Sequence, residues 1–225
     1  MPLYKRLPWA LVVLPALAME AAIAAAFVYA PAERVMGPVQ RIFYFHVPAA
    51  AIAFVGFGVT FAASLAYLVG RRPAWDRVAC AAAEIGELFA SLVLVTGVLW
   101  ARAAWNTWWT WDPRLTTMLV LWLIYAGYLL VRRSVEDEAR RARLAAVLGI
   151  IGFADVPIVG LSIRWWRTIH PAVFDDKGAH IEPRMLVALL VSLVAFALLF
   201  ASLMVVRVHL SELRDELESL HRSVL

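Results

Sequence analysis

Residues 47–69 read VPAAAIAFVGFGVTFAASLAYLV, an apolar run with no charged side chain anywhere in it. A bilayer core of ~30 Å is crossed by about 20 apolar residues as α-helix, so this run is long enough to span one. Working outward, five further runs meet the same test, at about 9–30, 78–101, 115–131, 144–161 and 185–206. Backbone groups in hydrocarbon must be bonded within the segment, so each run is expected as helix despite Pro157 and several glycines. The expected fold is an all-α integral membrane protein, a single bundle of six transmembrane helices over residues 1–206. Composition agrees, because 63% of the 225 residues are apolar and mean hydropathy is +0.76, above the range of soluble domains. No stretch remains for a soluble domain.

Lys5 and Arg6 precede the first run, and Ala24-Ala25-Ala26 resembles a small-residue cleavage site. The apolar stretch exceeds the roughly 7–15 residues of a signal peptide, so it reads as a retained span. The sequence pI of about 9.6 suggests nucleic acid until the basic residues are placed. They are scattered through the loops with no single basic face, so no nucleic-acid partner is expected. Thirteen Lys and Arg fall beside the termini and the two loops on their side, against eight in the segments 31–46, 102–114 and 162–184. The richer side is the cytoplasmic one, so both termini are expected inside and those three segments outside. Residues 207–225 place Leu210, Leu213, Leu217 and Leu220 at helical spacing among charges, which suggests a short amphipathic cytoplasmic tail helix.

The unusual chemistry collects on the outer side. Trp100, Trp105, Trp108, Trp109 and Trp111 place five indoles in twelve positions. An aromatic belt accounts for one or two tryptophans per helix end, as at Trp9 or Trp122, but not for a cluster in one loop. Indole faces stack well on an extended π-system, so the loop reads as a platform for a large planar ligand. Asp112-Pro113 follows with the pattern of a helix start, Asp as N-cap and Pro in the first turn, which would hold the platform rigidly. His46, before Val47-Pro48, and His170, before Pro171, flank the platform on the same side. Imidazole is a standard axial ligand of haem iron, and two such ligands serve opposite ring faces. The start of a helix disfavours imidazolium, which would keep His46 neutral. His180 is a weaker candidate, and His209 and His221 fall in the tail on the other side. Arg41, Arg102, Arg114, Arg164, Arg167 and Arg184 are all available to pair carboxylates of such a ligand, and the sequence does not choose among them.

Glu20, Glu84, Glu87 and Asp155 are carboxylates within spans, where such groups usually face the bundle interior. Glu84 and Glu87, three apart, are expected on one helix face, lining a polar path, meeting a partner or bonding neutrally between helices. Cys80 is the one cysteine, which excludes a Cys-x-x-Cys-His haem attachment motif within the chain and reads as a small apolar residue.

Trp105 through Thr116 resembles the tryptophan-rich WWD signature of the haem-handling protein family. Residues 45–50 (FHVPAA) and 165–170 (WWRTIH) resemble the segments that carry that family's two axial histidines. The six-span length resembles its cytochrome c maturation protein C branch, also called haem exporter protein C. Asn106 stands where that family has Gly, and because Asn tolerates positive φ the turn is expected to persist. The resemblance implies that haem b is bound at the outer membrane face by axial His46 and His170. Trp105, Trp108, Trp109, Trp111, Asp112 and Arg114 would then form the haem platform. It further implies delivery to a periplasmic haem chaperone, with ABC transporter subunits, a small single-span accessory protein and membrane lipid as the other partners. The expected role is that of a carrier and not an enzyme, in the bacterial cytoplasmic membrane. Two other readings of the same features are a membrane b-type haem electron carrier and a solute permease built on the intramembrane carboxylates.

Overall fold

The computed structural model describes residues 8–166, 168, 174–175, 178–179 and 181–224. Helix α1 (Ala10–Ala24) continues as a π-helical turn (Ala25–Tyr29), and a 3₁₀ turn (Pro38–Ile42) leads into α2 (Phe43–Gly70). Then follow α3 (Pro73–Trp105), α4 (Pro113–Ser134), α5 (Glu138–Phe153), α6 (Asp155–Trp165) and α7 (Pro183–Val224). A short rung pairs β1 (Phe174–Asp175) antiparallel with β2 (Gly178–Ala179) before α7. Six helical segments are long and apolar enough to cross a membrane: Ala10–Tyr29, Pro38–Gly70, Pro73–Trp105, Pro113–Ser134, Glu138–Trp165 and Pro183–Ser223. They match the six expected runs in order, and the chain is an all-α membrane bundle.

The helices outrun the apolar runs that located them. Helix α7 has 42 residues and is about 63 Å long, twice a bilayer core. Residues 207–224 therefore extend the sixth span without a break, where a separate tail helix was expected. No Gly or Pro interrupts the chain between Pro183 and Val224, and Arg214 pairs with Glu218 one turn on at 3.0 Å. The fifth span, by contrast, breaks at Ala154. Pro157 has no N–H for the Phe153 carbonyl and its ring crowds that oxygen, so α5 ends there and α6 begins. The second span starts earlier than residue 47, because Gly37 (φ 59) closes a turn in which the Glu33 carboxylate accepts the Val35 and Met36 amides.

The main core lies between α2, α3, α4 and α5, with Val159 of α6 and Phe196 and Phe200 of α7 completing it. Gly56 and Gly86 let the α2 and α3 backbones meet, since a Cβ on Gly56 would lie 3.0 Å from Gly86 Cα. Phe57 fills the adjoining space and stacks on Tyr125 of α4 at 3.7 Å. The Tyr125 hydroxyl donates to the Gly149 carbonyl of α5 at 3.2 Å. At the end where α1 starts and α7 finishes, ion pairs tie the helices: Arg132 with Asp76 (2.6 and 2.9 Å), Arg77 with Asp215 (2.9 Å) and Arg207 with Glu84 (2.5 and 2.9 Å). They line a cavity of about 1050 Å³ whose walls carry eight Arg and six Asp or Glu, a small excess of positive charge.

Candidate functional site

At the opposite end, α2 and α3 build the surroundings of His46. The imidazole is on the fourth residue of α2, two turns into the continuous helical segment that starts at Pro38, and not in a loop before the span. The helix-start field expected to keep it neutral fades within the first turn. What the structure supplies instead is a hydrogen bond that selects the tautomer of the neutral ring. Thr96 of α3 donates its hydroxyl proton to the Leu92 carbonyl at 2.6 Å, and the same oxygen lies 2.9 Å from His46 Nδ1. With its proton committed, the hydroxyl accepts from Nδ1–H, which puts the lone pair on Nε2. Gly97 gives the ring its room, because a Cβ there would sit 3.3 Å from His46 Cε1. Trp100, buried, meets the ring edge-on with centroids 5.7 Å apart and stacks on Trp105 at 6.4 Å. His46 is thus held on three sides by one face of α3, through Thr96, Gly97 and Trp100.

Trp105 ends α3. Asn106 then adopts φ 55 and ψ 29, the left-handed conformation that Gly would take, so the departure from the family pattern leaves the turn intact. Arg102 donates to the Asn106 carbonyl (3.1 Å) and side-chain oxygen, and its guanidinium lies 5.5 Å from the Trp108 ring centroid. Trp108 and Trp111 are 58% and 75% exposed, so indole surface beyond the Arg102 contact is open to a ligand or a partner. Trp109 meets Trp111 edge-on at 5.8 Å. Asp112 caps α4 by accepting the Arg114 amide at 2.9 Å, with Pro113 in the first turn. The same buried carboxylate accepts the Thr168 hydroxyl at 2.9 Å. This bond ties the tryptophan loop to the segment that carries His170, two residues further on.

His170 and His180 lie outside the described residues, as do Arg167 and Lys177. The remaining basic candidates separate. Arg102 touches the tryptophan loop, and Arg114 stands at its exit beside Asp112. Arg41 lies over Phe27 at 5.5 Å, and Arg184 over Tyr29 at 4.8 Å while donating to its carbonyl at 2.6 Å. Arg164 is exposed in the last turn of α6. Thr96, Gly97 and Thr168 were not singled out in the sequence. A Thr and a Gly one turn before Trp100, inside an apolar span, were the available signal for the first two.

The intramembrane carboxylates do not form one path. Glu84 is engaged by Arg207, and the Cys80 thiol donates to it at 3.6 Å, so Cys80 has a polar contact beyond its apolar packing. Glu87, its expected face-mate, is 7% exposed inside the bundle. Asp155 opens α6, and Glu20 is exposed on α1.

The family described as CcmC: Heme exporter protein C matches residues 1–223. Heme exporter protein C of Bradyrhizobium diazoefficiens is 43% identical over 190 residues, 84% of this chain and 70% of the relative. That of Escherichia coli K12 is 35% identical over 181 residues, 80% and 74% of the two chains. That of Rhodobacter capsulatus is 32% identical over 204 residues, 89% and 84%. The chain belongs to the heme exporter protein C family, and it is a multi-pass inner-membrane protein.

Thr96 carries an expected outcome of its own. Thr96→Val keeps the shape and removes the acceptor for His46 Nδ1–H, whereas Thr96→Ser keeps it. If His46 ligates iron, the Val variant should bind haem ~10–100-fold more weakly, the usual effect of losing the group that orients a ligating imidazole. The Ser variant should stay near wild type. Haem titration of the purified variants decides this, and equal affinities for Val and Ser would remove Thr96 from the site.

Proposed function

We propose that this chain is a haem carrier of cytochrome c maturation, which binds haem b at the periplasmic face of the membrane and delivers it to a periplasmic haem chaperone. The observation that carries the reading is the His46 imidazole, fixed by Thr96 with its lone pair on Nε2 and backed by Trp100 and the tryptophan loop. Haem is the cargo. Iron would take Nε2 of His46 on one axial side and His170 on the other, with the ring against Trp105, Trp108, Trp109 and Trp111. Arg102 and Arg114, described Arg residues beside the tryptophan loop, would meet the propionates, and Asp112 holds the loop's exit turn. The chemistry is coordination and release, with no bond made or broken in the porphyrin, which is a carrier's role and not an enzyme's. The chaperone, ABC transporter subunits and a single-span accessory protein are the partners of this reading.

The orientation rests on the thirteen-to-eight basic asymmetry and puts both termini in the cytoplasm. In a Cys80→Ser background, a cysteine at position 137 should react with a membrane-impermeant thiol reagent only after the membrane is opened. Labelling of intact cells at that position would reverse the topology and exclude the periplasmic site.

Delivery is tested on the exposed indoles. Trp108→Ala removes stacking and burial of ~1–3 kcal/mol while both proposed iron ligands remain. The variant should retain much of its haem and deliver less, because an exposed Trp is also a favoured anchor for a protein partner. Haem in the purified variant and haem on the chaperone, measured from the same cells, separate the two. Normal binding and delivery in Trp108, Trp109 and Trp111 variants would reduce the cluster to an interfacial belt.

A further inference from the structure

Helix α1 touches the rest of the bundle through one narrow stripe. Pro15, Ala22 and Ala26 are buried, and only 17% of the helix's most apolar window is covered. Glu20 lies about 160° around the helix from Ala22, at 100° per residue, and so points away from the bundle. The residue is exposed, and it is the eleventh of the twenty in Ala10–Tyr29, which puts a carboxylate at the middle of the membrane on the lipid side. Leu17, Ala21 and Ala24 are exposed on the same face, with two of the three small enough for another backbone to approach closely. A carboxyl group at mid-bilayer is costly in lipid and is retained where another membrane-embedded group satisfies it. Among the described residues of this chain, none is shown bonded to it.

We propose that this face of α1, centred on Glu20, docks a transmembrane helix of another protein that presents a hydrogen-bond-donating side chain (Lys, Arg, Asn or Gln) at mid-membrane. A second copy of this chain fits poorly. Symmetric α1–α1 packing would set Glu20 against Glu20, and this chain's Lys and Arg lie toward span ends and loops. The surface is independent of the haem reading, since α1 carries none of the residues assigned to the cargo.

The test places a photo-crosslinking amino acid at position 17 of the full chain in its native membrane, with a control at Val55, exposed on α2. Position 17 should yield one protein adduct whose crosslinked peptide is a transmembrane segment with Lys, Arg, Asn or Gln near its centre. Glu20→Leu should lower that yield at least tenfold, and Glu20→Gln less, because an amide still accepts a hydrogen bond. Membrane level and haem content are read in the same variants and should match wild type. If Glu20→Leu does not accumulate, replacing the partner's donor with Leu must produce the same loss with wild-type Glu20. Adducts only with lipid, adducts with a second copy of this chain, or yields that do not depend on Glu20 would overturn the proposal. A loss of haem without a change in crosslinking would also overturn it, because Glu20 would then act on the haem site and not on a docked helix.

Discussion

Replacing His46 with Ala should lower haem affinity by ~100-fold or more and convert the bound fraction from a six-coordinate to a five-coordinate spectrum. The size follows from the lost bond: outer-shell partners of metal ligands are already worth roughly 10–100-fold, and a direct ligand should exceed them. The environment sharpens the expectation. Thr96, Gly97 and Trp100 are shaped around one imidazole, and the methyl group of Ala cannot replace its ring nitrogen. His209 and His221 lie in the distal half of α7, where His209 Nδ1 is 3.9 Å from Glu212, and their Ala variants should bind haem as wild type does. Spectra and affinities unchanged by His46→Ala, or changed equally by His221→Ala, would remove His46 from the site.

The second large effect is expected at Asp112. One carboxylate caps α4 and also accepts the Thr168 hydroxyl from the segment before His170. Removing an N-cap costs about 1 kcal/mol. A hydrogen bond to a charged acceptor contributes a further ~1.5–3 kcal/mol. Asp112→Ala removes both and should let the tryptophan loop and the His170 segment separate, which lowers haem occupancy about tenfold or more. Asp112→Asn still caps and still accepts from Thr168, so it should recover most of the loss. That rescue distinguishes a latch between two ligand-bearing segments from a need for negative charge near the iron. Equal haem loss in the Ala and Asn variants would favour the charge, and no loss in either would exclude both roles.

The bundle was readable because hydrocarbon imposes a single rule on each apolar run, and the run 47–69 obeys it without any knowledge of its neighbours. Local rules also located the helix start at Asp112-Pro113 and the left-handed turn at Asn106, since caps and positive φ depend on a few adjacent residues. What escaped was set by packing register. Thr96 is 50 residues from His46, and only the packing of α3 on α2 brings its hydroxyl to Nδ1. Glu84 and Arg207 are 123 apart, so only the packing of α7 on α3 shows which partner Glu84 has. Hydropathy marked where apolar side chains end and not where the helix ends, which is why the tail beyond Arg207 read as a separate element. His46 was placed ahead of the helix for the same reason, since Phe43 and Tyr44 already belong to α2.

The haem site is tested most directly by the absorption spectrum of the protein purified from its native membrane, compared with the His46→Ala/His170→Ala double variant at equal protein concentration. Two axial imidazoles predict a low-spin, six-coordinate Soret spectrum in the wild type and little or no bound haem in the double variant. A double variant that keeps the wild-type spectrum at the wild-type haem content would contradict the proposed site.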